Sequence, residues 1–405
     1  MKVDINTQNR LKTARIKMSK ICPSHKANKT WPMVRLGDVC DEIKNRIQSS
    51  KVAVGEYVTT DNMVKDRGGI VQAEYVPSDV GLVEYRKGDV LIANIRPYLK
   101  KIWLADHDGG CSSDVVVFRT NTDGLSSEYL YSVLSQDAYF EYVMQKPRGT
   151  KMPRGDRDWM KEFCFPLPPL SEQKEIVVRL ERELAAVEKM KKGFEALAET
   201  AKAEFKAELK EVFEELRCSG VESKRLGEVG RVAMCKRVLK AQTSDNGDIP
   251  FFKIGTFGKE PNAYISNELF SEFVKKFSYP KKGDVLISAA GTIGRTIVFD
   301  GRPSYFQDSN IVWLEHDGTK VTNEYLHCFY WSKPWKVSDG ATIPRIYNGD
   351  IESAEIPLPS LPVQRQTVDR LSAAKARAEK LEAKAREGVA VCETMRKAIL
   401  KEAFA

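Results

Sequence analysis

Pro166-Leu167-Pro168-Pro169-Leu170-Ser171-Glu172-Gln173 stands directly before one long helical pattern, and Pro357-Leu358-Pro359-Ser360-Leu361-Pro362-Val363-Gln364 stands directly before a second. In the first pattern Leu180, Leu184, Val187, Phe194, Leu197, Ala201, Phe205, Leu209, Val212 and Leu216 recur at steps of three and four or their sums, the seam of a coiled coil. The second seam runs through Val368, Leu371, Ala374, Ala378, Leu381, Ala385, Gly388, Cys392, Met395 and Ile399, and its smaller side chains permit close approach. Ser171 with Lys174 and Glu175 predicts an imperfect amino-terminal cap, and Cys218-Ser219-Gly220 ends the first helix. At ~1.5 Å per residue each helix is about 65–70 Å long, too long to be covered by a small domain, so it needs a partner along its length. Two arrangements satisfy this: independent coiled coils that dimerise, or antiparallel pairing of the two helices within one chain. The matched seam lengths favour the second, as do Gly193 and Gly388, which fall at equivalent points where helix propensity drops by ~1 kcal/mol. Such pairing is expected to hold two bodies at opposite ends of a rod.

The segments before the two helices are copies of each other at an offset of about 190 residues, a whole duplicated domain rather than a solenoid unit. Val34-Arg35-Leu36-Gly37-Asp38-Val39 matches Lys224-Arg225-Leu226-Gly227-Glu228-Val229, and Lys87-Gly88-Asp89-Val90-Leu91-Ile92 matches Lys282-Gly283-Asp284-Val285-Leu286-Ile287. Glu128-Tyr129-Leu130 recurs as Glu324-Tyr325-Leu326, and Gly149…Pro153-Arg154 as Gly340…Pro344-Arg345. Short β-branched runs bounded by Gly, Asp and Pro, such as Val115-Val116-Val117-Phe118 and Ile297-Val298-Phe299, predict strands. Segments around Tyr129–Met144 and Asn323–Trp331 predict short helices packed on them. The expected fold class is α+β: two tandem α/β bodies joined by two long antiparallel coiled-coil helices, with a pseudo-twofold internal repeat. The segments are a basic tail at 1–30, a first body at 31–170, a helix at 171–217, a second body at 218–362 and a helix at 363–405.

The chain of 405 residues carries a formal charge of +8, of which +7 lies in residues 1–30. The bodies are nearly neutral, −2 over 31–170 and +1 over 218–362, so any nucleic-acid binding must come from local clustering of cations. The tail has no counterpart in the repeat; it could complete the helical bundle through Leu11 and Ile16, touch DNA, or stay disordered. The eight cysteines (22, 40, 111, 164, 218, 235, 328 and 392) show no zinc-ligand spacing and read as reduced and mostly buried, which suits the cytoplasm. No apolar run approaches the ~20 residues needed to span a bilayer, so no membrane partner is expected. The basic amino terminus lacks the apolar core of a secretory signal.

No catalytic signature is found. Gly291-Thr292-Ile293-Gly294-Arg295 has neither the spacing of a phosphate loop nor that of a dinucleotide turn. Asn94-Ile95-Arg96-Pro97-Tyr98 is superficially like an amino-methyltransferase tetrapeptide but lacks the adjacent Pro-Pro pair. Glu204-Phe205-Lys206 and Glu208-Leu209-Lys210 lie on the first long helix, where alternating charges form a solvated face. His25, His107, His316 and His327 sit in unrelated contexts. Neither a cofactor nor a metal is therefore expected on this chain.

Some of the remaining clusters have the look of nucleic-acid contacts. Lys146, Arg148, Lys151, Arg154 and Arg157, with Gly149, Pro153 and Gly155, form a basic loop before the last strand of the first body. Thr342, Arg345, Tyr347 and Asn348 are its weaker copy, and Arg295 ends the glycine-rich loop. Arginine and asparagine here can reach base edges, whereas Lys100, Lys101, Lys275, Lys276, Lys281 and Lys282 suit phosphates. A solvated surface loop is the competing reading for any one of these residues.

Taken together, the duplicated body, the Gly-Asp-Val-Leu-Ile run, the Gly-x-x-x-Pro-Arg segment and the Pro-Leu-Pro-x-Leu-x-x-Gln lead into a helix resemble the specificity (S) subunits of type I restriction–modification systems. The resemblance covers roughly residues 31–405 and is strongest at Gly340-Ala341-Thr342-Ile343-Pro344-Arg345 and Pro357-Leu358-Pro359. It implies a non-catalytic cytoplasmic subunit whose two target recognition domains each read one part of a bipartite site in double-stranded DNA, with the helices as a ruler. Two methyltransferase (M) subunits would dock on the helices and carry S-adenosylmethionine; restriction (R) subunits would supply ATP-driven translocation and cleavage. Two diverged bodies on one chain also suit an asymmetric two-part target better than a palindrome. The alternatives are a specificity module of another restriction, modification or phage-defence system, and a coiled-coil scaffold without base readout. A specificity segment of a fused enzyme would need a catalytic portion for which 405 residues leave no room.

Overall fold

The strand that follows each Lys-Gly-Asp turn, Val90–Ala93 and Val285–Ser288, is buried on both faces, and this organises everything around it. The structure is a computed structural model that describes residues 31–335 and 345–404. These divide into two units, 31–189 with 392–404 and 190–335 with 345–391.

In chain order the first unit contains β1 (Met33–Arg35), α1 (Leu36–Val39), β2 (Cys40–Glu42), β3 (Arg46–Gln48), β4 (Tyr57–Val58), β5 (Gly81–Tyr85), β6 (Val90–Ala93), β7 (Ile102–Leu104), β8 (Gly109–Cys111) and β9 (Val115–Thr120). It continues with α2 (Ser127–Leu134), α3 (Asp137–Val143), α4 (Arg157–Lys161), β10 (Cys164–Pro166) and the start of α5 (Leu170–Cys218). The second unit holds the rest of α5, β11 (Ser223–Arg225), α6 (Leu226–Val229), β12 (Arg231–Met234), β13 (Ile249–Phe252), β14 (Tyr264–Ile265), α7 (Asn267–Lys276), β15 (Val285–Ser288), β16 (Thr296–Val298), β17 (Tyr305–Phe306) and β18 (Ile311–Glu315). It closes with α8 (Asn323–Trp331), α9 (Asn348–Glu352), β19 (Glu355–Pro357) and most of α10 (Leu361–Ala403), whose last residues belong to the first unit.

The repeat seen in sequence is a repeat of topology. The sheet β2-β9-β6-β7 of the first unit has the same strand order as β12-β18-β15-β16 of the second, all antiparallel. A second sheet packs beside each: β3-β5-β8-β4, with β4 and β8 parallel, and β14-β13-β17, with β13 and β17 parallel. A short antiparallel ladder joins the first strand of each body to the last, Met33 opposite Pro166 and Ser223 opposite Pro357.

The central strand shows why the run is apolar throughout. Val90 and Ile92 face a core with α2, α3 and the long helices, while Leu91 and Ala93 face the second sheet through Val83 and Tyr85. Val285 and Ile287 are divided from Leu286 in the same way. Alternation is absent because neither face meets water. The turn before each strand explains its Gly-Asp pair. Gly88 and Gly283 take φ of 91° and 96°, a conformation that disfavours a side chain, and the Asp89 and Asp284 carboxylates accept hydrogen bonds from the backbone N–H of Arg86 and Lys281.

Antiparallel pairing of the long helices is found within each unit. In the first, Leu180 of α5 shares a core with Leu400 and Ala403 of α10. In the second, Glu215 and Glu208 accept from Arg370 and Arg377 at 2.7 and 2.9 Å, while Phe194 lies against Gly388, so numbers rise along one helix as they fall along the other. Helix α5 runs for 49 residues and α10 for 43, about 73 and 65 Å. The body cores extend onto them: Ile176, Val177 and Leu180 join the first, and Leu209, Val212, Phe213 and Leu371 the second.

The two seam glycines differ in their surroundings. Nothing lies within 4 Å of a Cβ placed on Gly193, whereas one on Gly388 would sit 2.5 Å from the Phe194 ring. Gly388→Ala is therefore expected to destabilise the second unit by about 1–3 kcal/mol through overpacking, although alanine is the better helix former. Gly193→Ala should instead stabilise by up to about 1 kcal/mol. Thermal unfolding of the two variants checks both, and equal shifts of the same sign would refute the assignment.

Candidate nucleic-acid interface

The surface loops of the first body begin where β6 ends. Asn94 N–H donates to Asp114 O at 2.7 Å, Ile95 bridges to Arg154, and Arg96 N–H donates to Pro153 O at 2.7 Å, which binds the loop after β6 to the segment 148–155. A second loop, 59–71, is organised by buried Asn62, whose amide donates to Tyr57 O and Val71 O, and by Lys101 Nζ, which donates to Thr60 O at 2.6 Å. Asp66 N–H and Arg67 N–H then donate to Leu99 O and Lys100 O, each at 2.9 Å, so the two loops lie side by side. Asp66, Arg67, Arg96 and Lys100 all have positive φ, between 51° and 66°. Side chains disfavour this region, and such strain gathers at functional surfaces.

One carboxylate holds these loops from beneath. Asp137, at the start of α3, accepts from Lys100 at 2.7 Å and from Arg67, whose Nε also donates to Ser135 O. The Arg67 side chain is 7% exposed. Burial pushes Asp137 up, but the hydrogen bonds from Lys100 and Arg67 outweigh it and hold the carboxyl below its ordinary 3.8. Glu42 plays the same part under the basic segment, accepting from Arg157 at 2.9 Å and pairing with Lys161 at 3.0 Å; burial raises it, yet these partners hold it below 4.5.

The residues singled out from sequence fall into three groups. Lys100 and Lys101 are bound inward as described, and Arg148, Arg154 and Arg157 pair with Asp156, Asp114 and Glu42. These arginines cross-link the segment and keep further N–H donors for an outside ligand. Lys151 is exposed at the tip, and Lys146 stands 3.6 Å from the ring centre of Trp159, which stacks on Tyr142. In the second body Lys275 and Lys276 occupy the last turn of α7, where cations complement the helix dipole, and Lys276 pairs with Glu272. Arg295 donates to Gly258 O and Arg345 to Ser309 O; Tyr347 is exposed, and Asn348 begins α9. Thr342 lies outside the described residues, as does the tail 1–30.

A cavity of about 280 Å³ opens beside Ser309 in the second body, lined by Arg237, Lys240, Thr243, Lys253, Gln307 and Asn310. Among the described residues no group of three or more His, Cys, Asp and Glu could hold a metal ion, and no helix is long and apolar enough to cross a membrane. Burial pushes the thiols of Cys40, Cys111, Cys235 and Cys328 up to about 12, which makes them inert packing groups.

The register of the second body repeats that of the first at this surface. Ala289 N–H donates to Asn310 O as Asn94 does to Asp114 O, and Ala290 bridges to Arg345 as Ile95 does to Arg154. The family model described as "Type I restriction modification DNA specificity domain" matches the chain twice, over residues 28–193 and 219–389. The chain belongs to this family. A type I restriction enzyme specificity subunit from Haemophilus influenzae is 44% identical over 250 residues, 61% of this chain. The match spans 64% of that relative's length. The EcoDI specificity subunit of Escherichia coli is 29% identical over 109 residues, 27% of this chain and 24% of its own.

Among solved structures, a chain from a study of complex assembly and conformational transition in the type I R-M system superposes with a TM-score of 0.77 at 26% identity, covering 94% of this chain and 99% of its own. The HsdS subunit from Thermoanaerobacter tengcongensis gives a TM-score of 0.55 at 25% identity, covering 94% and 98%. In this type I specificity chain the repeat extends to the level of hydrogen bonds, while the side chains on the repeated loops differ. Sequence patterns alone do not mark Arg96 or Lys65 as surface cations of this loop pair; alignment of the first loop with Gly291 and Gly294 was the available signal.

Proposed function

We propose that this chain is the DNA-reading subunit of a type I restriction–modification complex, each body recognising one half of a bipartite double-stranded target. The observation that carries the proposal is one scaffold used twice with different residues on its surface loops: exposed Arg96 follows the central strand of the first body, and exposed Gly291 and Arg295 follow that of the second. Central sheets of the same strand order bearing different loop side chains suit two unlike half-sites. On this reading α5 and α10 set the spacer and dock two methyltransferase subunits, and restriction subunits join that assembly. The chain itself performs no catalysis: S-adenosylmethionine and ATP are taken to bind the partners.

Co-expression with cognate methyltransferase subunits should yield methylated adenine at one two-part motif in whole-genome modification mapping. Replacing residues 31–165 by the equivalent body of a relative should change one half of that motif only. Removing matched turns from both long helices should change the spacer. Methylation in no defined motif, or methylation that persists unchanged without this chain, would refute the proposal.

A further inference from the structure

The loop after the central strand has the same register in both bodies, which makes Arg96 and Gly291 equivalent. In each, the second residue after the strand bridges across to an arginine, Ile95 to Arg154 and Ala290 to Arg345, and the position in question comes next. Both positions are left-handed, Arg96 with φ 52° and ψ 59° and Gly291 with φ 68°. Glycine takes this conformation freely, whereas arginine is strained there. The first body therefore holds a side chain at a place where the fold itself works better without one.

Nothing among the described residues accounts for that side chain. Arg96 is exposed, and among the described residues its guanidinium has no hydrogen-bond or ion-pair partner. Its neighbours contrast with it: Arg148, Arg154 and Arg157 are paired with carboxylates, and Lys100 and Lys101 are bound inward. The Arg96 backbone is fixed by its bond to Pro153 O, by Leu99 N–H donating to its carbonyl at 2.9 Å, and by buried Pro97 after it. A rigid backbone bearing an unpaired planar fork of donors is suited to bidentate recognition of a planar acceptor pair.

We infer that Arg96 is a specificity-determining residue of the first body, donating to the O6 and N7 acceptors of one guanine in the major groove; this rests on the DNA-reading function proposed above. The probe is Arg96→Gly in the full chain, co-expressed with its methyltransferase subunits and mapped for methylated adenine. Glycine relieves the backbone while removing the side chain, so the thermal midpoint should stay level or rise. Discrimination at one guanine of one half-site should fall by roughly 5- to 150-fold, with the other half-site unchanged. Arg96→Lys, which keeps the charge without the fork, should relax the same position. An unchanged motif at wild-type levels overturns the assignment and leaves the reader function standing. A uniform loss of methylation with preferences kept makes Arg96 a phosphate contact, and a lowered midpoint makes it structural; either overturns the assignment. Absence of any bipartite motif with the wild-type chain overturns the reader function and this inference together.

Discussion

Replacing Gln173 by leucine is expected to destabilise the first unit by about 2–5 kcal/mol, with little change in packed volume. The side chain is fully buried. Its Oε1 accepts from Ser126 N–H at 2.9 Å, and its Nε2 donates to Gly124 O and Pro168 O at 2.7 and 2.8 Å. Leucine matches the shape but leaves one N–H and two carbonyls without these partners, at about 1–3 kcal/mol for each group that finds no other. The effect is also one of coupling. Gln173 is on the first turn of α5, while its partners lie before α2 and in the Pro-Leu-Pro segment, so the clamp ties the long helix to the body. Hydrogen exchange at the Ser126 amide should accelerate along with the fall in thermal midpoint. Gln364 makes the same three bonds, to Thr322 N–H, Lys320 O and Pro359 O, and Gln364→Leu should act equivalently on the second unit. A loss below about 1 kcal/mol in both variants would mean that the clamps are incidental.

Removing Asp137 is the second large perturbation. Asp137→Ala leaves Arg67, almost wholly buried, and Lys100 without their counter-charge, a situation that costs about 3–5 kcal/mol when the stranded charge cannot reach water. Because Arg67 and Lys100 belong to the two hydrogen-bonded surface loops, the disturbance should reach Arg96 and weaken recognition by the first body while sparing the second. The pH dependence gives an independent check. The folded carboxyl is held below its unfolded value of 3.8, so its stabilising contribution is complete above that value and is lost as pH falls from there through the lower folded value. The wild-type chain should therefore lose more stability than Asp137→Ala between about pH 5 and pH 2. Parallel stability profiles for the two proteins would remove Asp137 from this role.

Much of the architecture is legible in local patterns because it rests on local causes. The three-and-four spacing of the seams places both long helices, and the Lys-Gly-Asp turn with its apolar run places the central strands. Other features depend on partners far away in the chain. Arg157 has the same composition-level signature as Lys151, yet it meets Glu42, 115 residues distant, and is held inward while Lys151 is exposed. Asn94-Ile95-Arg96-Pro97-Tyr98 is set aside as an enzyme motif by its missing Pro-Pro pair, but only its backbone angles show the left-handed turn at Arg96.

By itself, then, the sequence determined that one body occurs twice, that each is followed by a long amphipathic helix, and that the whole has the pattern of a type I specificity chain. Those are consequences of periodicity and repetition, which the covalent order carries directly. Only the tertiary structure decided which cations are committed to internal carboxylates, what the two glutamines clamp, and why Gly388 but not Gly193 must lack a side chain. The physical reason is common to all three: charge pairing, buried-polar satisfaction and steric fit depend on distances of a few ångströms between residues that the chain order leaves tens or hundreds of positions apart.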